Sequence, residues 1–590
     1  MTLKSVFLIW YKYVIIFNGD NVNGDKVVKI TVVSTLTFLL ISILGLTYAY
    51  FSLEIVGTGK NVVMSTADLR LEYKDETELK LDGAFSGKSI SKTITVKNVG
   101  TDGVKYSLYW SELINTIENF ELHVTLNCKS YTNYGETTQT ESGSCDSIYR
   151  AVPIINPAAG SGMNKNIKSN ISIEPNITHE YTVTVKFDDK NYDQNYNKKK
   201  SFNGKIGIEE YRGPSVTNCT YDGEVTTGTT YTTNNYTYVY NKDYVVTKEN
   251  EIIFDETDIG GWHVELTNKN STSKINENVC TYINDKPVVS MSYMFRDSKI
   301  TSIDVSNFNT SNVINMQSMF NTPYITSIVG LNALDTSNVT NMSGMFERSK
   351  ISSLDLSSFD TSNVTDMSGM FYSGNINYLD TTSLNTGKVT DMSYMFCGIK
   401  TNAIDVSGFD TSNVTNMKQM FQNAKVDIID LNGFNAGNVT DMTKMFDGTM
   451  NVKIINLENI NSINVTSMHS MFEYSSAEIV NINDLKTDSV IQMGYMFAKY
   501  TGRILDLSNF NTAKVKYMPN MFQSCSNLET IYVSSKFVLD NVTYSNDMFY
   551  GDTNLVGGAG TKFDSTNIDK TYAKIDGGTS SPGYFTLKSN

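Results

Sequence analysis

The residues with the most chemical potential in this chain recur in columns. Aspartates stand at Asp304, Asp355, Asp380, Asp405, Asp430 and Asp506, each inside a short apolar run, with Asn456 and Asn481 in register. If the runs are stacked strands, neighbouring carboxylates lie about 5 Å apart on an outward face, and each adjacent pair costs on the order of 1 kcal/mol in water. The bland reading is a solvated face eased by the asparagines and nearby Ser and Thr. The sharper one is a row for cations or a basic partner. Calcium takes roughly six to eight oxygens and one carboxylate per rung supplies few, so a basic partner ranks above a metal.

Two residues earlier on the same face, another column reads Ser302, Ser353, Tyr378, Ala403, Ile428, Ile454, Ile479 and Ile504. It changes from polar to apolar halfway along. Four stacked isoleucines on exposed strands would form a contiguous apolar strip, which marks a contact site. In the competing reading they fold inward to compensate for Thr401, Ala477 and Gly502, which are weak at the repeat's first apolar position.

Other reactive types are present but not arranged. Of the 25 methionines, 22 lie between Met291 and Met548. Soft thioethers suit copper, but a fixed place beside Phe suits core filling better. His123, His179, His263 and His469 are scattered, and there is no Cys-x-x-Cys, His-Glu-x-x-His, Gly-x-Ser-x-Gly, phosphate loop or dinucleotide fingerprint. The chain therefore reads as a non-enzyme with no cofactor or metal. Cys128 and Cys145 bracket a polar loop, and Cys219 and Cys280 bracket a small segment; both are candidate disulfides. Cys397 and Cys525 sit five repeats apart, too far to join, and read as buried small residues.

What positions these columns is a repeat. Met-Phe pairs end at Phe295, Phe320, Phe346, Phe371, Phe396, Phe421, Phe446, Phe472, Phe497, Phe522 and Phe549, in steps of 25 to 27 residues. In the unit from Ile351 to Phe371, Leu354 and Leu356 flank Asp355, which predicts a strand with one face inward. Asp360-Thr-Ser-Asn363 is a turn. Met367, Met370 and Phe371 at i, i+3, i+4 predict one turn of helix, with Thr365 as its N-cap and Asp366 at its positive end. One unit cannot bury so many apolar side chains alone, but stacked units can. About eleven strands at roughly 4.8 Å per step make a rod of about 50 Å. Asn-Val-Thr at Asn338, Asn363, Asn413, Asn438 and Asn464 reads as turn residues.

The motif Ile-x2-Leu-x-Leu-x2-Phe with its Asn-Val-Thr-Asp-Met-x2-Met-Phe tail resembles the BspA-like leucine-rich-repeat surface proteins of bacteria across residues 284–550, with Phe359 where Asn or Cys is usual. The resemblance implies a secreted or surface-displayed adhesion protein that binds an extracellular protein or glycan.

The remaining chain divides in order. Residues 1–29 are an N-terminal extension. Residues 30–51 follow Lys26 and Lys29, carry no charge from Ile30 to Leu46, and offer a cleavage site after Ala49, so they read as a signal peptide or a transmembrane helix with the C-terminus outside. Their Thr-Tyr-Ala-Tyr-Phe-Ser ending resembles the export signals of TasA- and camelysin-like proteins of Gram-positive bacteria, which implies cleavage and secretion; uncleaved, the segment would hold the membrane. Residues 60–212 contain about seven alternating runs and read as a β-sandwich. Thr93-Ile-Thr-Val-Lys-Asn-Val-Gly100 resembles the strands of Ig-like stalks and TasA-like domains. Residues 213–283 read as a small β cap, and residues 551–590 as a C-terminal cap. The net charge of −14 argues against nucleic acid. The fold class is β-rich and multidomain. The leading expectation is adhesion through the solenoid's strand face; the alternative is a structural matrix component that self-associates through the sandwich.

Overall fold

The computed structural model describes residues 54–588 apart from several connections, the longer ones being 57–61, 82–86, 153–165, 189–196 and 242–259. The expected signal or membrane segment at 30–51 lies outside the described residues, and among those no helix is long and apolar enough to cross a membrane.

The first part is built from two antiparallel sheets. One runs Glu54–Val56, Phe202–Glu210, Val104–Asn115, Asn166–Ile173, with Leu79–Leu81 also on Phe202–Glu210. The other runs Val62–Ser65, Arg70–Asp75, Ser89–Asn98, Ile177–Phe187, Leu122–Thr132, Thr140–Gly143, with Ile148–Ala151 also on Leu122–Thr132. Alternation makes these strands: Tyr181, Val183, Val185 and Phe187 point into a shared core while Thr182 and Lys186 face out. Trp110 is fully buried edge-on to Phe202, with ring centroids 5.6 Å apart. Gly204 is required beside it, since a Cβ there would lie 2.7 Å from the Trp110 ring. Sheets of five and seven strands are not the four and three of an Ig constant-type sandwich, so the Ig-like expectation is not supported.

Next comes a six-stranded sheet ordered Asn218–Cys219, Tyr282–Ile283, Lys286–Ser290, Gly261–Leu266, Tyr236–Asn241, Thr230–Thr232. Its core is continuous with the repeats. Tyr236 meets Phe308 edge-on at 6.2 Å, and the Leu266 amide donates to Met294 O. Cys219 and Cys280 are joined across it, as Cys128 and Cys145 are joined in the first part; Cys397 and Cys525 are free and buried.

The repeats form a β-solenoid. Short parallel strands pair in register, among them Ser353–Asp355 with Tyr378–Asp380, and Ile428–Asp430 with Ile454–Asn456 and Ile479–Asn481. A second parallel ladder of single bridges runs from Ser290 through Asn315, Asn341, Asp366, Asp391, Asn416, Asp441, Ser467, Gln492 and Tyr517 to Tyr544. Inside, the Met-Phe phenylalanines stack from Phe295 to Phe549 with neighbouring centroids 5.3 to 6.1 Å apart. The last strand, Phe585–Leu587, pairs with Thr530–Val533 and sets Phe585 edge-on to Phe549, closing the stack.

The expected helix in each repeat does not form. Phe346 N–H donates to Met370 O of the next coil at 2.9 Å, and Gly344 N–H to Ser368 O at 2.8 Å, where an α-helix would bond four residues back in its own coil. The residue before each Met-Phe pair is left-handed: φ is 60° at Tyr293, 60° at Gly344, 59° at Gly369, 59° at Tyr394 and 57° at Lys444. A left-handed residue interrupts a right-handed helix. The i, i+3, i+4 spacing instead marks a tight double turn that points Met, Met and Phe inward together.

The polar part of the repeat ties coil to coil. Thr361 Oγ1 donates to Asn385 O at 2.9 Å, Asn363 Nδ2 to Ser337 O at 2.7 Å and Thr365 Oγ1 to Thr340 O at 3.2 Å. Thr365 is thus an inter-coil bracket and not an N-cap. Asp366 Oδ1 accepts from the Ser368 amide at 2.9 Å, within its own turn.

Candidate interaction face

Each aspartate of the outward column sits at the last position of its short strand or of the equivalent segment, and each does the same local job. Its Oδ1 accepts the backbone N–H two residues on: 3.0 Å for Asp304, 2.8 Å for Asp355, 3.0 Å for Asp380, 2.9 Å for Asp405, 3.1 Å for Asp430 and 3.1 Å for Asp506. This is an Asx turn that takes the chain out of the strand, so backbone geometry alone accounts for Asp or Asn here.

Beyond this turn bond the carboxylates see different surroundings. Asp355 and Asp380 are register partners, so two carboxylates face each other in that pair. Asp430 Oδ1 also accepts from Asn456 Nδ2 at 2.9 Å, and Asn481 Nδ2 reaches Asn456 at 3.4 Å. Asp506 Oδ2 pairs with Lys588 of the C-terminal segment. Burial works against the Asp506 carboxylate, but the Lys588 ammonium and the bonds from Ser508 prevail and lower its pKa. Asp405 Oδ2 lies 2.9 Å from His123 Nε2 of the first part. The column is therefore not one uniform acidic stripe. Sequence gave no sign of Lys588 or His123, which lie 82 and 282 residues from their partners.

The isoleucine column is neither wholly buried nor one continuous strip. Ile428 and Ile454 are half-buried, and Ile504 is 58% exposed. Ile428, Ile454 and Ile479 stand in register in one three-stranded sheet; the side chain of Ile479 is outside the described set. Ile504 belongs to the following sheet, opposite Thr530. It borders an open depression with Glu478, Arg503 and Glu529, where Arg503 and Glu529 form a two-bonded ion pair at 2.8 and 2.9 Å. The outward position before Asp405 is Ala403, which is 8% exposed, and residues 403–405 make no strand.

On the turn side, Gly344 and Gly369 floor a shallow groove edged by Glu347, Tyr372 and Tyr394. In the first part, Cys128, Cys145 and His179 bring three donor atoms within 4.8 Å of one another. The two sulfurs are bonded to each other and offer no thiolate. His179 Nδ1 is instead 2.8 Å from Tyr106 Oη, which is 2.7 Å from Tyr181 Oη, a buried polar network.

A family model described as "Mycoplasma protein of unknown function, DUF285" matches residues 289–378, 373–453 and 448–560, which cover the repeats and the first residues of the segment after them. No curated protein and no solved structure matches the chain.

Proposed function

We propose that this chain is a secreted or surface-displayed interaction protein that binds a protein or glycan partner through the strand face of its solenoid. The observation that carries this reading is the outward isoleucines, Ile428 and Ile454 half-buried in one parallel sheet and Ile504 exposed on the next, at a position that serine fills in Ser302 and Ser353. Similarity of the repeats to a DUF285 family is compatible with it. Two disulfides suit an oxidising compartment, and segment 30–51 would direct export, with the chain either anchored there or released near Ala49. The partner carries an apolar contact surface next to basic groups that complement Asp355, Asp380 and Asp430.

The test is a binding screen of the chain against extracellular matrix proteins, cell-surface glycans and itself. Ile454→Asp and Ile504→Asp are expected to cut binding at least tenfold, and Asp355→Lys with Asp380→Lys to weaken it with a reduced salt dependence. Binding indifferent to both sets places the site elsewhere. Concentration-dependent self-association of the first part would favour the structural, matrix-forming alternative.

A further inference from the structure

His123 should be an exposed residue. On the strand Leu122–Thr132, Leu122, Val124 and Leu126 point into the core, so the odd-numbered positions between and after them face outward; Asn127 and Lys129 do so and are exposed. His123 shares their face yet is 1% exposed. What covers it includes the solenoid. Nε2 lies 2.9 Å from Asp405 Oδ2, and Nδ1 lies 2.6 Å from Asp188 Oδ2, just past the end of the neighbouring strand Ile177–Phe187.

A carboxylate beside each ring nitrogen fits an imidazolium, which donates Nε2–H to Asp405 and pairs in charge with Asp188 on its Nδ1 side; a neutral ring offers no charge to either. Burial alone would lower the His123 pKa, but the hydrogen bonds to Asp188 and Asp405 outweigh it and raise the value to about 9. The register neighbours of His123 are Lys186, which is exposed, and Ala151; among the described residues the charged groups that face it include Lys186, Asp188 and Asp405. The contact falls on the coil where residues 403–405 leave the strand ladder and where outward Ala403 is buried.

We propose that the two-sheet part is a built-in occupant of the middle of the solenoid's strand face, held by the Asp188–His123–Asp405 bridge, and that this stretch is closed to outside partners until the bridge opens. The clause about outside partners rests on the strand-face reading above; the docking does not. The isoleucine segment beyond it is open from the start, while Asp380 and Asp430, one coil to either side of Asp405, meet a partner only once the bridge opens.

Hydrogen exchange of the full chain tests this without any ligand. In His123→Ala at pH 7, amides of 121–126 and of 402–407 should both exchange at least tenfold faster than in the wild type, while the Met-Phe turns of distant coils keep their protection. Asp405→Asn, which retains the Asx-turn acceptor, should speed exchange at 121–126 from the solenoid side, and it decides the matter if His123→Ala does not fold. Because the folded pKa is raised, the bridge is complete below about 6.5 and lost as pH rises through about 9, so the wild type should loosen at both segments over that range and His123→Ala should not. Exchange unchanged in both variants, or changed only in the segment carrying the substitution, overturns the proposal.

Discussion

An aspartate at a strand end can serve a ligand, the backbone, or both, and the two roles separate by substitution. Asp380→Ala removes the acceptor for the Thr382 amide and hydroxyl and should cost about 1 kcal/mol in chemical denaturation. Asp380→Asn keeps an acceptor there and should stay within about 0.5 kcal/mol. A loss of binding in the asparagine variant would therefore report charge and not fold. The left-handed column makes an equally local prediction. Gly369→Ala should destabilise by about 1 kcal/mol, and Lys444→Gly, at φ 57°, should stabilise by about 0.5 kcal/mol. Glycine at Gly344 and Gly369, with Asn520 and Asp547 in a column otherwise filled by Tyr, Ser, Gln and Lys, was the available sign that this position is not helical. The mixture of large residues around those glycines hid it.

At the scale of the element, the repeat's period and its inward positions were legible because each coil must present the same apolar set to its neighbour. The type of turn was not, because i, i+3, i+4 spacing describes both a helix and a double turn; the destination of the backbone N–H decides between them. Here it goes to the next coil, and the solenoid is held by a phenylalanine stack and inter-coil bonds. Phe396→Ala, in the middle of that stack, should cost about 3–5 kcal/mol by denaturant titration. At the C-terminal end, Asp552 is buried beneath the last coil, and burial pushes its carboxyl up to about 8 although the Cys525 amide donates to it. A folded pKa raised above the unfolded one means the protonated form is favoured by folding. Stability should fall as pH rises from about 4 to about 8, and Asp552→Asn should flatten that slope in thermal unfolding followed against pH.

At the scale of the molecule, the solenoid depends on its ends and on the part docked to its face. The N-terminal sheet shares the repeat core and is closed by a disulfide spanning 61 residues, so Cys219→Ser with Cys280→Ser should lose about 4 kcal/mol, read as an earlier unfolding midpoint. The first part encloses a core of its own, and its contact with the solenoid runs through a histidine 282 residues from its aspartate. Nothing at that separation shows in spacing or composition. It also changes the meaning of the acidic column, since Asp405 faces the chain's own histidine and Asp506 its own Lys588.

The sequence by itself determined the solenoid, its period, its Met-Phe core and the two faces of its strands, because those follow from local periodicity and from the need of every coil to be covered by the next. Tertiary structure alone decided what each outward residue meets: which aspartate faces another carboxylate, which faces a cation, which isoleucine is open, and which coil carries the two-sheet part. Those are long-range contacts, and a repeat written the same way in every coil holds no local signal to tell one coil's neighbour from another's.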